Sequence, residues 1–283
     1  MATALVTDST AYLSPELVTA RGIGVVPLHV VVGGQDRREG VDIGAGEVAE
    51  ALRSFRPVST SRPAPQAFLD VYRGLAEGGA DAIVSVHISA DMSSTIGSAQ
   101  LAAQHAPVPV TVVDSRSMGM AMGYAVLAGA EVAAGGASVQ DVAEVVRRRC
   151  EAATVVFYVD TLEHLRRGGR IGKANALLGS ALAIKPILGL TEGSIVPLER
   201  VRTSSRAISR LEDLAVEAAT ASGAESVDIA VHHLDSAERA DRLAERLRPR
   251  VHGLADLSVV ELGAVVGAHV GPGTLAIAVS PQV

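Results

Sequence analysis

The chain has 283 residues, 48% hydrophobic and 20% charged, a composition that can bury a sizeable core and excludes a disordered chain. Aromatic residues make up only 2%, Trp is missing, and 25 Lys and Arg stand against 31 Asp and Glu for a net charge of −6. That balance excludes a surface that stacks nucleic-acid bases and a generic polyanion-binding face, while the lone Cys150 excludes an intramolecular disulfide or a cysteine-rich metal site and fits a reducing cytoplasm.

Residues 4–7 (ALVT) read as a first strand with no basic leader before it, so no secretory signal is expected. Residues 14–21 read as a short helix, with Ser14 as N-cap and Pro15 at the first helical position. Residues 25–32 (VVPLHVVV) read as one strand ended by a turn at Gly33-Gly34, giving a small β insertion near residues 24–44. Helices are expected over 45–54 and 65–77, a strand over 82–87, a helix over 94–105, a strand over 110–113, and helices over 121–134 and 139–149. Strands alternating with helices in this way predict parallel βαβ units. The weakly polar stretch 118–134 is interrupted by Gly119, Gly123, Tyr124, Gly129 and Glu131, which suits a buried helix and not a membrane span.

The second half reads differently. A strand is expected over 154–159, a short helix over 162–167 closed by Gly168-Gly169, another over 175–182, and a hairpin from strands 185–190 and 194–197 around Glu192-Gly193. A long helix over 207–220, a strand over 228–232, a helix over 237–247 and strands over 257–262 and 274–279 complete the chain. The expected fold is α/β in two domains: a parallel α/β domain over residues 1–155 and a mixed α/β domain over 156–283.

Ligands of an open α/β sheet bind beyond the carboxyl ends of its strands. Four hydroxyl-rich loops are expected at that edge: Thr7-Asp8-Ser9-Thr10, residues 59–63 (STSRP), residues 89–95 (SADMSST) and Asp114-Ser115-Arg116-Ser117. Ordinary helix capping accounts for such residues one loop at a time. Ser93 and Ser94 precede an Ala-rich helix, whose free N–H groups and positive dipole end suit a small anion such as a carboxylate. Residues 168–174 (GGRIGKA) imitate a phosphate loop but have Arg167 where its first Gly belongs and Ala174 where it needs Ser or Thr. The His232-His233 pair with Asp235 has no matching ligand cluster and reads as structural. Residues 267–273 (GAHVGPG) read as a tight glycine-rich loop that aims His269 into a cleft.

Taken in order, these residues resemble the DegV family of bacterial fatty-acid-binding proteins. The resemblance rests on Thr7-Asp8-Ser9-Thr10, Val26-Pro27-Leu28, Thr60-Ser61-Arg62-Pro63, Met92-Ser93-Ser94-Thr95 and Asp114-Ser115 in the first half. In the second half it rests on Thr161-Leu162-Glu163-His164-Leu165, Arg167-Gly168-Gly169-Arg170-Ile171, Lys185-Pro186-Ile187, Val201-Arg202 and His269-Val270-Gly271-Pro272-Gly273. Ser94 stands where the family usually has Gly, Ile96 where it often has Tyr, and Ala64 where Ser commonly follows the TSxP motif.

The resemblance implies a long-chain fatty acid held between two domains, with its carboxylate on Thr60, Ser93 and His269 and with Ser61, Ser94 and Gly271 beside it. It also implies a partner: a separate ATP-binding fatty-acid kinase subunit that converts the carboxylate to an acyl phosphate for phospholipid synthesis. Arg202 would serve that partner, and Arg170 would lie beside the site. The segment 118–127 is expected to line the acyl tunnel. No cofactor, metal, nucleic-acid partner or stable membrane insertion is expected, and no nucleophile–base pair marks the chain itself as an enzyme. Two other readings stay open: a stand-alone lipid hydrolase or acyltransferase using Ser93 with His269, and a lipid-responsive regulatory protein without a kinase.

Overall fold

The computed structural model of the chain describes residues 2–177 and 185–283. Its first part runs β1 (Thr3–Asp8), α1 (Pro15–Arg21), β2 (Gly24–Val26), β3 (His29–Val32), β4 (Gln35–Arg38), α2 (Ala45–Arg53), β5 (Val58–Ser61), α3 (Pro65–Glu77), β6 (Ala82–His87), α4 (Thr95–Ala103), β7 (Val110–Asp114), α5 (Met120–Ala134) and α6 (Val139–Ala152). Its second part runs β8 (Thr154–Tyr158), α7 (Glu163–Arg167), β9 (Lys185–Thr191), β10 (Ser194–Val201), α8 (Ser204–Ala221), β11 (Val227–His233), α9 (Ala237–Leu247), β12 (Leu254–Glu261), α10 (Ala264–Val270) and β13 (Leu275–Pro281).

Three sheets carry these strands. The first, in the order β2-β1-β6-β7, is wholly parallel, and its inner strand β6 is buried along its whole length. Burial along both faces is what a strand covered on each side shows, and its polar Ser85 and His87 are hydrogen-bonded within the core. The second, in the order β10-β9-β8-β13-β11-β12, is mixed: only β11 and β12 run parallel. The third is a small antiparallel sheet, β4-β3-β5, built from the first part and packed against α10.

Helix α5 joins the two large sheets. Its one charged residue is Glu131 near the C-terminal end, and it touches β1 and β6 of the first sheet and β11 and β13 of the second. A helix without a polar face has to be buried. Gly129 lets Val146 of α6 press against it: a Cβ there would lie 2.6 Å from a Val146 methyl. At 15 residues α5 bears out the buried helix read from the sequence, and among the described residues no helix is long and apolar enough to cross a membrane.

Local chemistry sets many boundaries. Ser14 caps α1 by accepting the Leu17 N–H, Pro15 opens the helix, and Gly22 ends it in the left-handed conformation. The β9–β10 hairpin turns on Glu192 and Gly193, both at positive φ, as a two-residue turn that follows strand twist demands.

Four expectations need correction. The run 25–32 is two strands in two sheets: β2 pairs parallel with β1, the chain breaks at Pro27-Leu28, and β3 pairs antiparallel with β4 and β5. The stretch 59–63 is no loop of the parallel sheet, because Thr60 and Ser61 end β5, so three hydroxyl-rich loops and not four share that sheet edge. His269 sits in the last turn of α10 and not in a glycine loop. Of the helix expected over 175–182, residues up to 177 belong to a 3₁₀ segment, Gly172–Leu177, and the rest lies outside the described residues.

Candidate functional site

A cavity of about 120 Å³ opens where the small sheet, the Ser93 loop, α7 and α10 meet. Six of the residues singled out in the sequence line it: Thr60, Ser61, Ser93, Ser94, Arg170 and His269. Leu28, Ile88, Met92, Met118, Ile195 and Val266 supply much of its apolar wall, and no Asp or Glu lines it. Of the segment expected to line an acyl tunnel, Met118 alone reaches this cavity; Met120, Tyr124 and Leu127 line a different one.

Thr60 and His269 form the centre of the polar wall. Their side chains are hydrogen-bonded, Oγ1 to Nε2 at 2.8 Å, across 209 residues of sequence. Burial, followed by the charge of Arg170, pushes the His269 imidazole down to about 4, so the ring is neutral at physiological pH. Its Nδ1 has no hydrogen-bond partner among the described residues and lies against Gly168, where an added Cβ would come within 2.0 Å of it. Gly168 therefore makes the space the imidazole occupies.

Arg170 lines the cavity, donating Nε–H to Met92 O at 3.0 Å and Nη1–H to Gly168 O at 2.7 Å. It fixes the Ser93 loop to α7. Ser93 donates its own N–H to Ser89 O at 3.0 Å, and its Oγ lies 2.8 Å from Thr95 Oγ1 and accepts the Thr95 N–H. The free helix-start donors read from the sequence are thus partly spent. The Ser93 and Ser94 hydroxyls remain at the cavity, and the Ser94 hydroxyl makes no cap for α4.

The other hydroxyl loops do structural work. Ser9 donates to buried Glu39 and accepts the Leu28 N–H at 3.0 Å, Thr10 donates to Asp8, and Ser115 donates to Ser117 O. Glu39 also accepts the Val265 N–H at 2.8 Å, so it caps α10 from another part of the chain. Burial pushes its carboxyl up to about 7. Nothing in the local sequence marks this role.

Two expected site residues lie elsewhere. Gly271 ends α10 at φ 78 and does not line the cavity; the His164 ring packs on it so closely that a Cβ would stand 2.2 Å from that ring. Arg202 is exposed just after β10, does not line the cavity, and makes no ion pair among the described residues. Arg62, part of the TSRP motif, is a lining residue that sequence reasoning did not single out.

The geometry does not favour a Ser93–His269 nucleophile, because each is bonded to a threonine and not to the other. A Ser–His–Asp chain does exist: Ser85 Oγ is 2.7 Å from His87 Nε2, and His87 Nδ1 is 3.0 Å from Asp8 Oδ2. All three are fully buried, and Tyr72 OH closes the chain 2.9 Å from Ser85. It ties β1 to β6 inside the core. His232 is buried beside Gly119 and accepts the Met120 N–H at 3.1 Å, and burial pushes it down to about 4.

Residues 2–282 match the model of a family described as "Uncharacterised protein, DegV family". A DegV domain-containing protein of Streptomyces coelicolor is 53% identical over 279 residues, covering 99% of this chain and 98% of that one. Solved structures share the fold. A DegV family protein from Thermus thermophilus, described by its fatty-acid binding, superposes with a TM-score of 0.93 at 34% identity and covers 99% of this chain and 100% of its own. DegV of Bacillus subtilis, described as a fatty acid binding protein, gives a TM-score of 0.90 at 33% identity over 99% of each chain.

Proposed function

Since the chain belongs to the DegV family, we propose that it binds a long-chain fatty acid with the carboxylate at Thr60, Ser93 and His269. The observation that carries the reading is a cavity with hydroxyls and a neutral imidazole on one wall, apolar side chains on the others, and no carboxylate. Such a lining accepts an anion with a greasy tail and repels nothing about it. The matched relatives from Thermus thermophilus and Bacillus subtilis are themselves described by fatty-acid binding.

With the ring proton on Nε2, His269 donates to Thr60 Oγ1, and Thr60 is then free to donate its own proton to the carboxylate. Ser93 and Ser94 add donors. An acyl chain of about 15 methylenes gains at most roughly 12 kcal/mol on burial, at ~0.8 kcal/mol each. Association and chain ordering consume much of that, so the hydroxyls need only satisfy and orient the head group.

The head-group wall can hold a carboxylate, which is already ionised, but it supplies no phosphoryl donor. We therefore assign the chemistry to a separate ATP-binding kinase subunit, to which this chain presents the acid for conversion to an acyl phosphate. In that scheme the chain divides into domains over residues 1–155, which bring Thr60 and Ser93, and 156–283, which bring Arg170 and His269. Exposed Arg202 is assigned to contact with the kinase. Arg202→Ala should leave fatty-acid retention unchanged and sharply lower acyl-phosphate formation with the kinase subunit; full activity would defeat that assignment. The primary test is denaturing mass spectrometry of organic extracts of the protein purified from bacteria. A fatty acid equimolar with the chain is expected, and a nucleotide or sugar phosphate in its place would overturn the reading.

A further inference from the structure

A second cavity, of about 590 Å³, adjoins the first along the head-group wall. The two share Thr60, Arg170 and His269 and no other lining residue. The second one is edged by Arg56, Arg167 and His164, and like the first it has no Asp or Glu in its lining. The cavity between α5 and β12, for comparison, carries Glu131, Asp228, Asp256 and Glu261 beside Arg21 and Arg149.

The arginines around this vestibule are under-used. Arg56 is exposed and makes no ion pair or side-chain hydrogen bond among the described residues. Arg167 gives only its Nε–H, at 2.7 Å, to Glu163, which leaves both terminal amines. Arg170 spends two donors on carbonyls and stays beside His269. A single fatty-acid carboxylate is already served by the hydroxyls and imidazole of the shared wall and does not call for this many cations. A doubly charged phosphate does: its oxygens match the planar fork of a guanidinium, and two arginines can balance its charge.

We propose that this vestibule is a phosphate subsite, which receives the terminal phosphate of a phosphoryl donor facing the carboxylate seated on the shared wall. The proposal rests on the fatty-acid reading given above. The donor is a nucleoside triphosphate with its divalent cation, carried by the partner. One carboxylate oxygen forms the new O–P bond as the bond from that phosphorus to the donor's bridging oxygen breaks. The diphosphate leaves with the electron pair, and Arg56 and Arg167 hold the phosphoryl oxygens throughout. The acyl phosphate formed then has its tail in the first cavity and its phosphate in the second.

The test uses the full chain loaded with oleate, with pyrophosphate as the probe, followed by calorimetry at moderate ionic strength. Oleate retention is measured separately by mass spectrometry. Saturable pyrophosphate binding is expected, weakened about tenfold by Arg56→Ala, the loss of one charge-assisted contact. Arg21→Ala, at the acidic cavity, should change nothing. Equal affinity in Arg56→Ala, no saturable binding, or the same loss in Arg21→Ala would overturn the proposal. A protein that retains no oleate would instead overturn the fatty-acid reading, and the Arg56 dependence measured on the unloaded chain would still decide whether the vestibule binds phosphate.

Discussion

Single atoms set the geometry of the head-group wall. Gly168 has an ordinary helical φ of −74, so alanine suits its backbone; the obstacle is the His269 ring against its Cα. Gly168→Ala should therefore fold normally yet push His269 off Thr60. Fatty-acid affinity should fall about tenfold or more, as for one lost hydrogen bond to a charged group, and titration with a fluorescent fatty acid measures it. Glu39 gives a pH prediction. Its carboxyl is raised from 4.5 to about 7 by burial, so between those values the unfolded chain ionises while the folded one keeps its proton. Stability from this group is present at low pH, falls as pH rises through that window, and is flat above it. The span corresponds to about 3 kcal/mol at the upper limit. Glu39→Gln, which cannot ionise, should gain on the parent in thermal unfolding from pH 5 to 7.5 and then keep a constant lead. A lead that does not change with pH would show that Glu39 stays ionised in the fold.

Elements differed in how openly the sequence announced them. Strand β6 and helices α3 and α6 carry clean apolar patterns, and their bounds were legible to within a few residues. Helix α10 was not, because Gly267, Gly271 and Gly273 in seven residues imitate a loop; Gly267 faces Leu234, which packs 3.2 Å from where a Cβ would be. Strand β4, with the sequence QDRR, is largely exposed and has no apolar alternation to reveal it. The switch of sheets at Pro27-Leu28 lies inside an unbroken apolar run, so only pairing could show it. The wall residues were legible as an ordered set of motifs, whereas the burial of Glu39 depends on a distant helix. The cavity at about 120 Å³ falls below the roughly 300 Å³ of an ordinary small-molecule pocket, so the proposed acyl chain requires the elements around it to yield. Met92 and Met118 are the pliable lining residues. Their methyl NMR signals should move when oleate is added, while that of Met122, fully buried in α5, stays put. A shift at Met122 alone would place the tail along α5 instead.

For the whole molecule, the walls of one cavity come from the first and second parts of the chain, with α5 packed between their sheets. A ligand in that position stabilises both parts together. At about 100 times its dissociation constant a bound acid contributes roughly 2.7 kcal/mol, which for a chain of this size raises the melting temperature by roughly 5 °C. Calorimetry should show a single transition moving upward; two transitions with only one displaced would mean that the acid is gripped by one part alone. The Thr60–His269 bond has a further consequence during synthesis. A nascent chain can assemble the parallel sheet while its later residues are still being added, since domains tend to fold from the N-terminus as they emerge. The imidazole that completes the wall sits on α10, which packs against α2, β3 and β5, and it comes off the ribosome 209 residues after its threonine. Until then the nascent protein has the hydroxyls but no closed site, so it cannot sequester a lipid before its fold is nearly finished.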